Sequence, residues 1–232
     1  MEIIDFWQKC SLNGENYIHP ADYKHIEKLN KYGFAPDLIP VPYCGNIRKA
    51  KIIVLMINPG QSTGKNEYIM EARSESQKKL RSNLYQNFDG EEFPFFYLDP
   101  ELSFHPGYNY WFSRFKRLMK EYQAETSSSD YNCQKYFANN IAILELVPYH
   151  SVNYRGKLHN VLASSEQSRR AFKELSKDRL IIIPRKHKSW GFIKPAQKEV
   201  IVNGNIITYF NQKACFGKDV RKLIIDRLTL KE

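Results

Sequence analysis

The chain has 232 residues and no Pro-, Gly- or Ser-rich linker, so it is long enough for one large α/β domain and shows no division into two. Its four cysteines are widely scattered, which argues against a zinc or iron–sulfur site, and no apolar run approaches the roughly 18 residues of a membrane span. The net charge of +10 indicates either a polyanionic partner or a lysine-rich solvated surface. We expect a cytoplasmic, monomeric protein without membrane contact or metal.

Residues 1–47 are predicted to form a mainly helical preface to a core over residues 48–228. This prediction rests on helical patterns at Glu2 to Lys9 and at Ala21 to Tyr32. The whole chain, 1–232, is expected to be a single domain.

The next segment is an apolar run from Ile52 to Ile57, rich in β-branched residues, which predicts a strand covered on both faces. Asn58, Pro59 and Gly60 then turn the chain sharply. Because ligands bind at the carboxyl ends of strands in open α/β sheets, this turn is a candidate site. The alternative is an ordinary strand-ending turn in which Asn58 is only a capping residue.

A connection of more than forty residues follows, and it contains a basic helical stretch, Glu75 to Gln86, and an aromatic run, Phe93 to Tyr97. Connections of this length in a compact domain usually are functional or carry structure of their own. Apolar residues then recur at helical spacing between Tyr110 and Gln123, which predicts an amphipathic helix.

The second half of the chain continues the alternation of strands and helices. Two more buried strands are predicted, at Ile141 to Val147 and Leu180 to Ile183, with a helix near Ser165 to Leu175 between them. Asn203, Gly204 and Asn205 predict a hairpin within Glu199 to Tyr209, and a final helix follows. The order indicates an α/β sandwich with its loops gathered at the carboxyl ends of the strands.

Two of these elements carry a specific resemblance. The strand that ends in Ile57, Asn58, Pro59 and Gly60, followed by His105, Pro106, Gly107, Tyr108, Asn109, Tyr110 and Trp111 at a helix start, resembles the uracil-DNA glycosylase superfamily, and most closely its mismatch-specific branch. The chain departs from that branch at Met56, where the family usually has glycine, and in its longer first connection. The segment from Asn211 to Cys215 stands where the family has its second DNA-facing loop, without the usual His-Pro-Ser or Asn-Pro-Ser sequence.

The resemblance implies a single-domain three-layer α/β/α sandwich with a central, mostly parallel sheet. It also implies a DNA glycosylase that flips a damaged, mismatched or modified base out of DNA, single-stranded DNA included, and hydrolyses its N-glycosidic bond without a cofactor. Asn58 would be catalytic, by positioning water. The implied substrate-binding residues are Ile57, Pro59, Gly60, Glu145, Tyr149, His150 and Asn211. The implied DNA-binding residues are Arg185, Lys186, Lys188, Lys213 and Phe216.

Two of these roles have explicit alternatives. An ionised Glu145 would accept hydrogen bonds only and so disfavour uracil, whose O4 needs a donor; alternatively, Glu145 points away or pairs with a surface cation. Phe216 would wedge into the base stack, or it is a core residue at the start of an apolar helical face.

Two other functions remain open from the sequence. One is a nucleic-acid-binding module on the same scaffold without turnover. The other is an unrelated α/β enzyme of nucleotide metabolism, although the chain has no Gly-x-x-x-x-Gly-Lys or Gly-x-Gly-x-x-Gly phosphate signature.

Overall fold

A computed structural model describes residues 1–62, 66–193, 200–209 and 216–230. Its strands are β1 (Phe34–Ala35), β2 (Tyr43–Cys44), β3 (Ile52–Met56), β4 (Ile141–Glu145), β5 (His150–Ser151), β6 (Leu180–Ile183), β7 (Val200–Asn203) and β8 (Ile206–Tyr209). Its α-helices are α1 (Glu2–Trp7), α2 (Ile26–Lys31), α3 (Asn66–Glu71), α4 (Ser74–Tyr85), α5 (Pro106–Thr126), α6 (Asp130–Asn140), α7 (Ala163–Leu175) and α8 (Lys218–Thr229). No helix of the described residues is both long and apolar enough to cross a membrane.

The main sheet has six strands in the order β2, β4, β3, β6, β8, β7. The four inner strands are parallel to one another, whereas the edge strands β2 and β7 are each antiparallel to the inner strand beside them. Every residue of β3 is buried, as the continuous apolar run predicts for a strand covered on both faces. The predicted mostly parallel α/β sheet is therefore confirmed.

The helices fall into two contacting groups. Helix α1 contacts both α4 and α7 in one group, and α5 contacts both α6 and α8 in the second. Helix α7 and helix α6 each pack on β4. This arrangement is compatible with an α/β sandwich. One cluster of buried apolar side chains runs from Ile3 to Leu228 and includes all inner strands.

Residues 1–47 contain two short strands besides the predicted helices. Residues 1–47 contain α1 and α2, but β2 pairs with β4 at the edge of the main sheet and β1 pairs with β5. Residues Pro20–His25, predicted as part of a longer α-helix, form a 3₁₀ helix. Strands of two residues are too short to show a two-residue period, so only pairing with distant strands reveals them.

The path of the chain defines a crevice in the sheet. From β3 the chain crosses to β4 on one side, and it later returns past β3 to β6 and β8 on the other side. The carboxyl ends of β3 and β6 therefore flank the point where the connections diverge. Open α/β sheets bind ligands at such a point.

Candidate active site

The crevice holds a cavity of about 530 Å³. Its walls come from the ends of β3, β4 and β6, the first turn of α5, and the segments that follow β3 and β5. The residues that line it include Met56, Ile57, Asn58, Pro59, Gly60, Ser62, Glu67, Tyr97, His105, Gly107, Tyr110, Trp111, Glu145, Ser151, Val152, Asn153, Tyr154, Arg185 and Lys186. Apolar and aromatic walls with a few convergent polar groups are typical of small-molecule sites.

A second concave region, of about 470 Å³, lies around Lys51, Asn140 and Leu228, at the amino ends of β3 and β4. None of the buried polar atoms that lack a hydrogen-bond partner belongs to its lining. The cavity at the carboxyl ends contains three such atoms, His105 Nε2, Glu145 Oε2 and Arg185 Nε. Because buried polar groups normally have partners, these three atoms make the carboxyl-end cavity the stronger candidate for a binding site.

Asn58 has a fixed orientation at this cavity. Its Nδ2 donates to the Pro59 carbonyl at 2.8 Å and to Ser151 Oγ at 2.9 Å, and the Tyr149 carbonyl lies 3.5 Å away. Carbonyl oxygens only accept, so the nitrogen must face them, and this fixes which amide atom is Oδ1. The Asn58 carbonyl is left to accept a hydrogen bond from a water or ligand in the cavity.

Glu145 ends β4 with its side chain in the cavity wall, 6% exposed. Burial raises the pKa of Glu145 to about 8, although the nearby Arg185 guanidinium acts in the opposite direction. The carboxyl group is therefore largely protonated at neutral pH. The expectation of an ionised Glu145 that disfavours uracil is thus wrong in its premise, because a neutral acid donates as well as accepts.

Cationic side chains stand beside the acid and at the rim. Arg185 is partly buried and its Nη2 donates to the Tyr110 hydroxyl at 3.5 Å. Lys186 is exposed and has a left-handed backbone, with φ of 59°. Both residues follow the end of β6 and line the cavity. They are two of the implied DNA-binding residues. Lys188 is exposed in the following 3₁₀ helix and does not line it.

His105 begins α5 and has a defined tautomer. Its Nδ1 accepts from the Gly107 backbone N–H at 3.0 Å, so in the neutral ring the proton is on Nε2. Burial lowers the pKa of His105 to about 4, which keeps the ring neutral at pH 7. Its ring stacks on Tyr97 with the ring centroids 5.4 Å apart.

Two of the implied substrate-binding residues lie outside the cavity. Tyr149 is fully buried, and its hydroxyl donates to Asp22 at 2.8 Å. His150 is buried, with ring nitrogens 2.9 Å from the Gly60 carbonyl and 3.2 Å from the Ile39 carbonyl. Neither lines the cavity. Tyr149, just before β5, and His150, the first residue of β5, are both buried in the protein, where His150 supports the turn at Gly60.

The implied DNA wedge, Phe216, is a core residue instead. It is 5% exposed and stacks on Phe115, with the ring centroids 5.4 Å apart. Burial of its apolar ring against α5 outweighs any surface role. Asn211 and Lys213 lie outside the described residues.

The sequence interpretation missed several cavity residues. His105 carried the resemblance but was given no role, and Glu67 and Ser151 were not considered. The position of His105 at a helix start next to Pro106 was a usable signal. No local pattern identifies Glu67, because it reaches the cavity from α3 through the tertiary fold.

Comparisons with models of known protein families, with curated proteins and with solved structures found no match.

Proposed function

We propose that this protein is a DNA glycosylase with a uracil-DNA glycosylase-like three-layer α/β/α sandwich, and that the cavity accepts a base flipped out of DNA. The observation that carries the proposal is the Asn58 amide in the cavity lining: its nitrogen is held by the Pro59 carbonyl and Ser151 Oγ, and its oxygen has no hydrogen-bond partner among the described residues. A water held by that oxygen would attack the sugar carbon. An amide cannot take the proton, so the contribution of Asn58 is orientation.

The walls of the cavity suit a planar, partly polar ligand. Tyr97, Tyr110 and Trp111 supply aromatic surface for stacking, which is tolerant of base identity. The neutral Glu145 carboxyl group can donate to a base carbonyl and accept from the adjacent ring N–H. The substrates that we propose therefore include bases with such an edge, uracil among them.

The rim supplies the contact with the polymer. Arg185 and Lys186 stand at the β6 end of the cavity and would bind phosphates next to the flipped nucleotide. We propose that the protein works as a cytoplasmic monomer, since one chain provides every group that this mechanism uses.

The test is base release from oligonucleotides that carry a panel of altered bases, followed by alkaline cleavage of abasic sites. We expect Asn58→Ala to lower the single-turnover rate by about tenfold or more, because water orientation is lost, with DNA binding nearly intact.

The matched control is Asn46→Ala. Asn46 Oδ1 accepts from the Arg48 and Lys49 backbone N–H groups in a turn outside the cavity, so this variant loses a turn-capping Asn but should keep its activity. Full activity of Asn58→Ala would show that Asn58 is only a turn residue. DNA binding by the wild type without any base release would favour the non-catalytic module, and turnover of free nucleotides alone would favour nucleotide metabolism.

A further inference from the structure

Two buried polar side chains face each other in the cavity wall without touching. His105 is 1% exposed and Glu67 is 7% exposed. Their atoms His105 Nε2 and Glu67 Oε1 are 4.0 Å apart, which is too far for a direct hydrogen bond. Among the described residues, His105 Nε2 has no hydrogen-bond partner.

The donor side of this pair is set by α5. Because His105 Nδ1 accepts from the Gly107 N–H, the neutral ring must donate from Nε2. The ring is held in this orientation by its stacking on Tyr97. Nε2–H is therefore a preoriented donor whose partner must come from the cavity.

The acceptor side is set by the segment after β3. Ser62 holds both oxygens of the Glu67 carboxylate: its backbone N–H donates to Oε1 at 3.0 Å and its hydroxyl donates to Oε2 at 2.8 Å. A carboxylate oxygen can accept more than one hydrogen bond, so Oε1 keeps capacity for a second donor.

One oxygen atom can satisfy both groups. Hydrogen bonds of about 2.7–3.2 Å to each atom are compatible with the 4.0 Å separation. The bound oxygen must accept from His105 and donate to Glu67. A carbonyl oxygen cannot donate and an ammonium group cannot accept, which leaves a water molecule or a hydroxyl group.

We propose that His105 and Glu67 form a hydroxyl-binding subsite of the cavity, which takes either a water molecule or a sugar hydroxyl. For the water, the proposal rests on the glycosylase function. Its oxygen bonds to C1′, the C1′–N bond breaks with its electron pair on the base nitrogen, and one water proton passes to Glu67 and from there to the departing base. Glu67 would then be the proton acceptor that Asn58 cannot be.

If a sugar hydroxyl occupies the subsite, His105 and Glu67 would select the sugar and would not take part in the attack of water. The 2′-hydroxyl both donates and accepts, and it is the group by which proteins distinguish RNA from DNA. The subsite would then favour a ribonucleotide at the flipped position over a deoxyribonucleotide.

The variants are Glu67→Gln, which keeps the size but cannot take a proton, and the pair His105→Gln and His105→Leu. Both His105 variants lose the bond to the Gly107 N–H, but only Gln keeps a donor for the cavity. The matched control is Glu71→Gln, on the same helix and outside the cavity lining, where Oε1 accepts from the Ile39 N–H. Thermal unfolding identifies any variant that fails to fold.

The first measurement does not depend on glycosylase activity. Crystals of the ligand-free protein that diffract well enough to show ordered water are expected to contain an oxygen within about 3.2 Å of both His105 Nε2 and Glu67 Oε1. That oxygen should disappear in His105→Leu. The second measurement is the Kd for oligonucleotides with a ribose or a deoxyribose at the target position.

If water occupies the subsite in the reaction, Glu67→Gln and His105→Leu should each lower base release from both oligonucleotides by about tenfold or more, with partial rescue in His105→Gln. If a sugar hydroxyl occupies it, both variants should instead abolish a preference for ribose in the Kd. The subsite is disproved if the crystals show no such oxygen and neither the rates nor the Kd ratio change beyond the Glu71→Gln control. An ordered oxygen or a ribose preference without base release supports the subsite and rejects the glycosylase.

Discussion

Glu145 ends β4 with a carboxyl group that is surrounded by protein, so its protonation state affects the stability of the fold. Its pKa is raised from an ordinary value of 4.5 to about 8, because burial penalises the charged form. Between these two values the folded protein keeps a proton that the unfolded chain has lost. The unfolded state then binds fewer protons, so stability falls as the pH rises through this window.

The first prediction at the residue scale concerns this stability. Relative to Glu145→Gln, which cannot ionise, the wild type should lose unfolding free energy from pH 4.5 to about 8 and stay level above that. The loss should be on the order of a few kcal/mol. Urea unfolding of both proteins across this range measures it. The control is Glu27→Gln, at an exposed position on α2. If the difference in unfolding free energy between the wild type and Glu145→Gln does not change with pH, Glu145 does not have a raised pKa in the folded protein.

The second residue-scale prediction concerns base preference. At neutral pH the protonated Glu145 can pair with the O4 and N3–H edge of uracil, whereas the ionised form offers only acceptors. Uracil release by the wild type should therefore fall about tenfold per pH unit above the Glu145 pKa, while Glu145→Gln stays flat. The measurement is the single-turnover rate of uracil release by the wild type and by Glu145→Gln, over a range of about four pH units from pH 6 to about 10. Parallel profiles for the two proteins would remove Glu145 from base reading.

At the scale of the element, the start of α5 positions three parts of the cavity. His105 caps the helix through its Nδ1, Pro106 occupies the first turn, and Gly107 leaves room for Tyr97. A Cβ at Gly107 would lie 2.3 Å from Tyr97 Cε1. Glycine is thus required here by the close approach of the aromatic ring that stacks on His105.

The prediction at this scale is that Gly107→Ala destabilises the protein. Alanine in a helix normally stabilises by about 1 kcal/mol relative to glycine, but displacement of Tyr97 should outweigh this and cost about 1–3 kcal/mol. Chemical denaturation measures the change. Gly60→Ala is the control, since a Cβ there meets nothing within 4 Å. A stabilised Gly107→Ala would mean that Tyr97 moves aside without cost.

At the scale of the whole molecule, the net charge of +10 is distributed over many surface lysines and arginines, and only some can touch a nucleic acid at the cavity. In the part of the chain that the structure describes, Arg185 and Lys186 are the Arg and Lys residues that line it. Phosphate binding releases counterions, so the affinity for DNA should fall steeply with salt.

The prediction at this scale separates local from diffuse charge. Replacing Arg185 and Lys186 by alanine should weaken DNA binding and make the slope of log K against log salt shallower by about 1 per lost phosphate contact. Replacing Lys28 and Lys31, two exposed cations of α2, removes the same charge away from the cavity. The measurement is the DNA affinity of both double variants across a range of salt concentrations. Equal losses of affinity in the two variants would mean that DNA is attracted only nonspecifically by the overall charge.

The sequence by itself determined the elements whose pattern is local. The apolar run of β3, the helical spacing along α5 and the Asn203-Gly204-Asn205 turn each predicted the right element, because a strand, a helix and a hairpin impose periods or backbone angles that neighbouring residues must satisfy. The same logic located the end of β3, and with it Asn58, at the carboxyl edge of the sheet, where the cavity lies.

Only the tertiary structure decided which side chains share the cavity and in which protonation state. Tyr149 and Phe216 turn into the core, while Glu67 reaches the cavity from a helix that no local pattern connects with it. Burial by segments distant in the chain makes Glu145 a neutral acid and His105 a neutral donor. The solvent exposure of a side chain and its distance from residues far away in the sequence are properties of the folded chain. Local sequence patterns therefore do not reveal them.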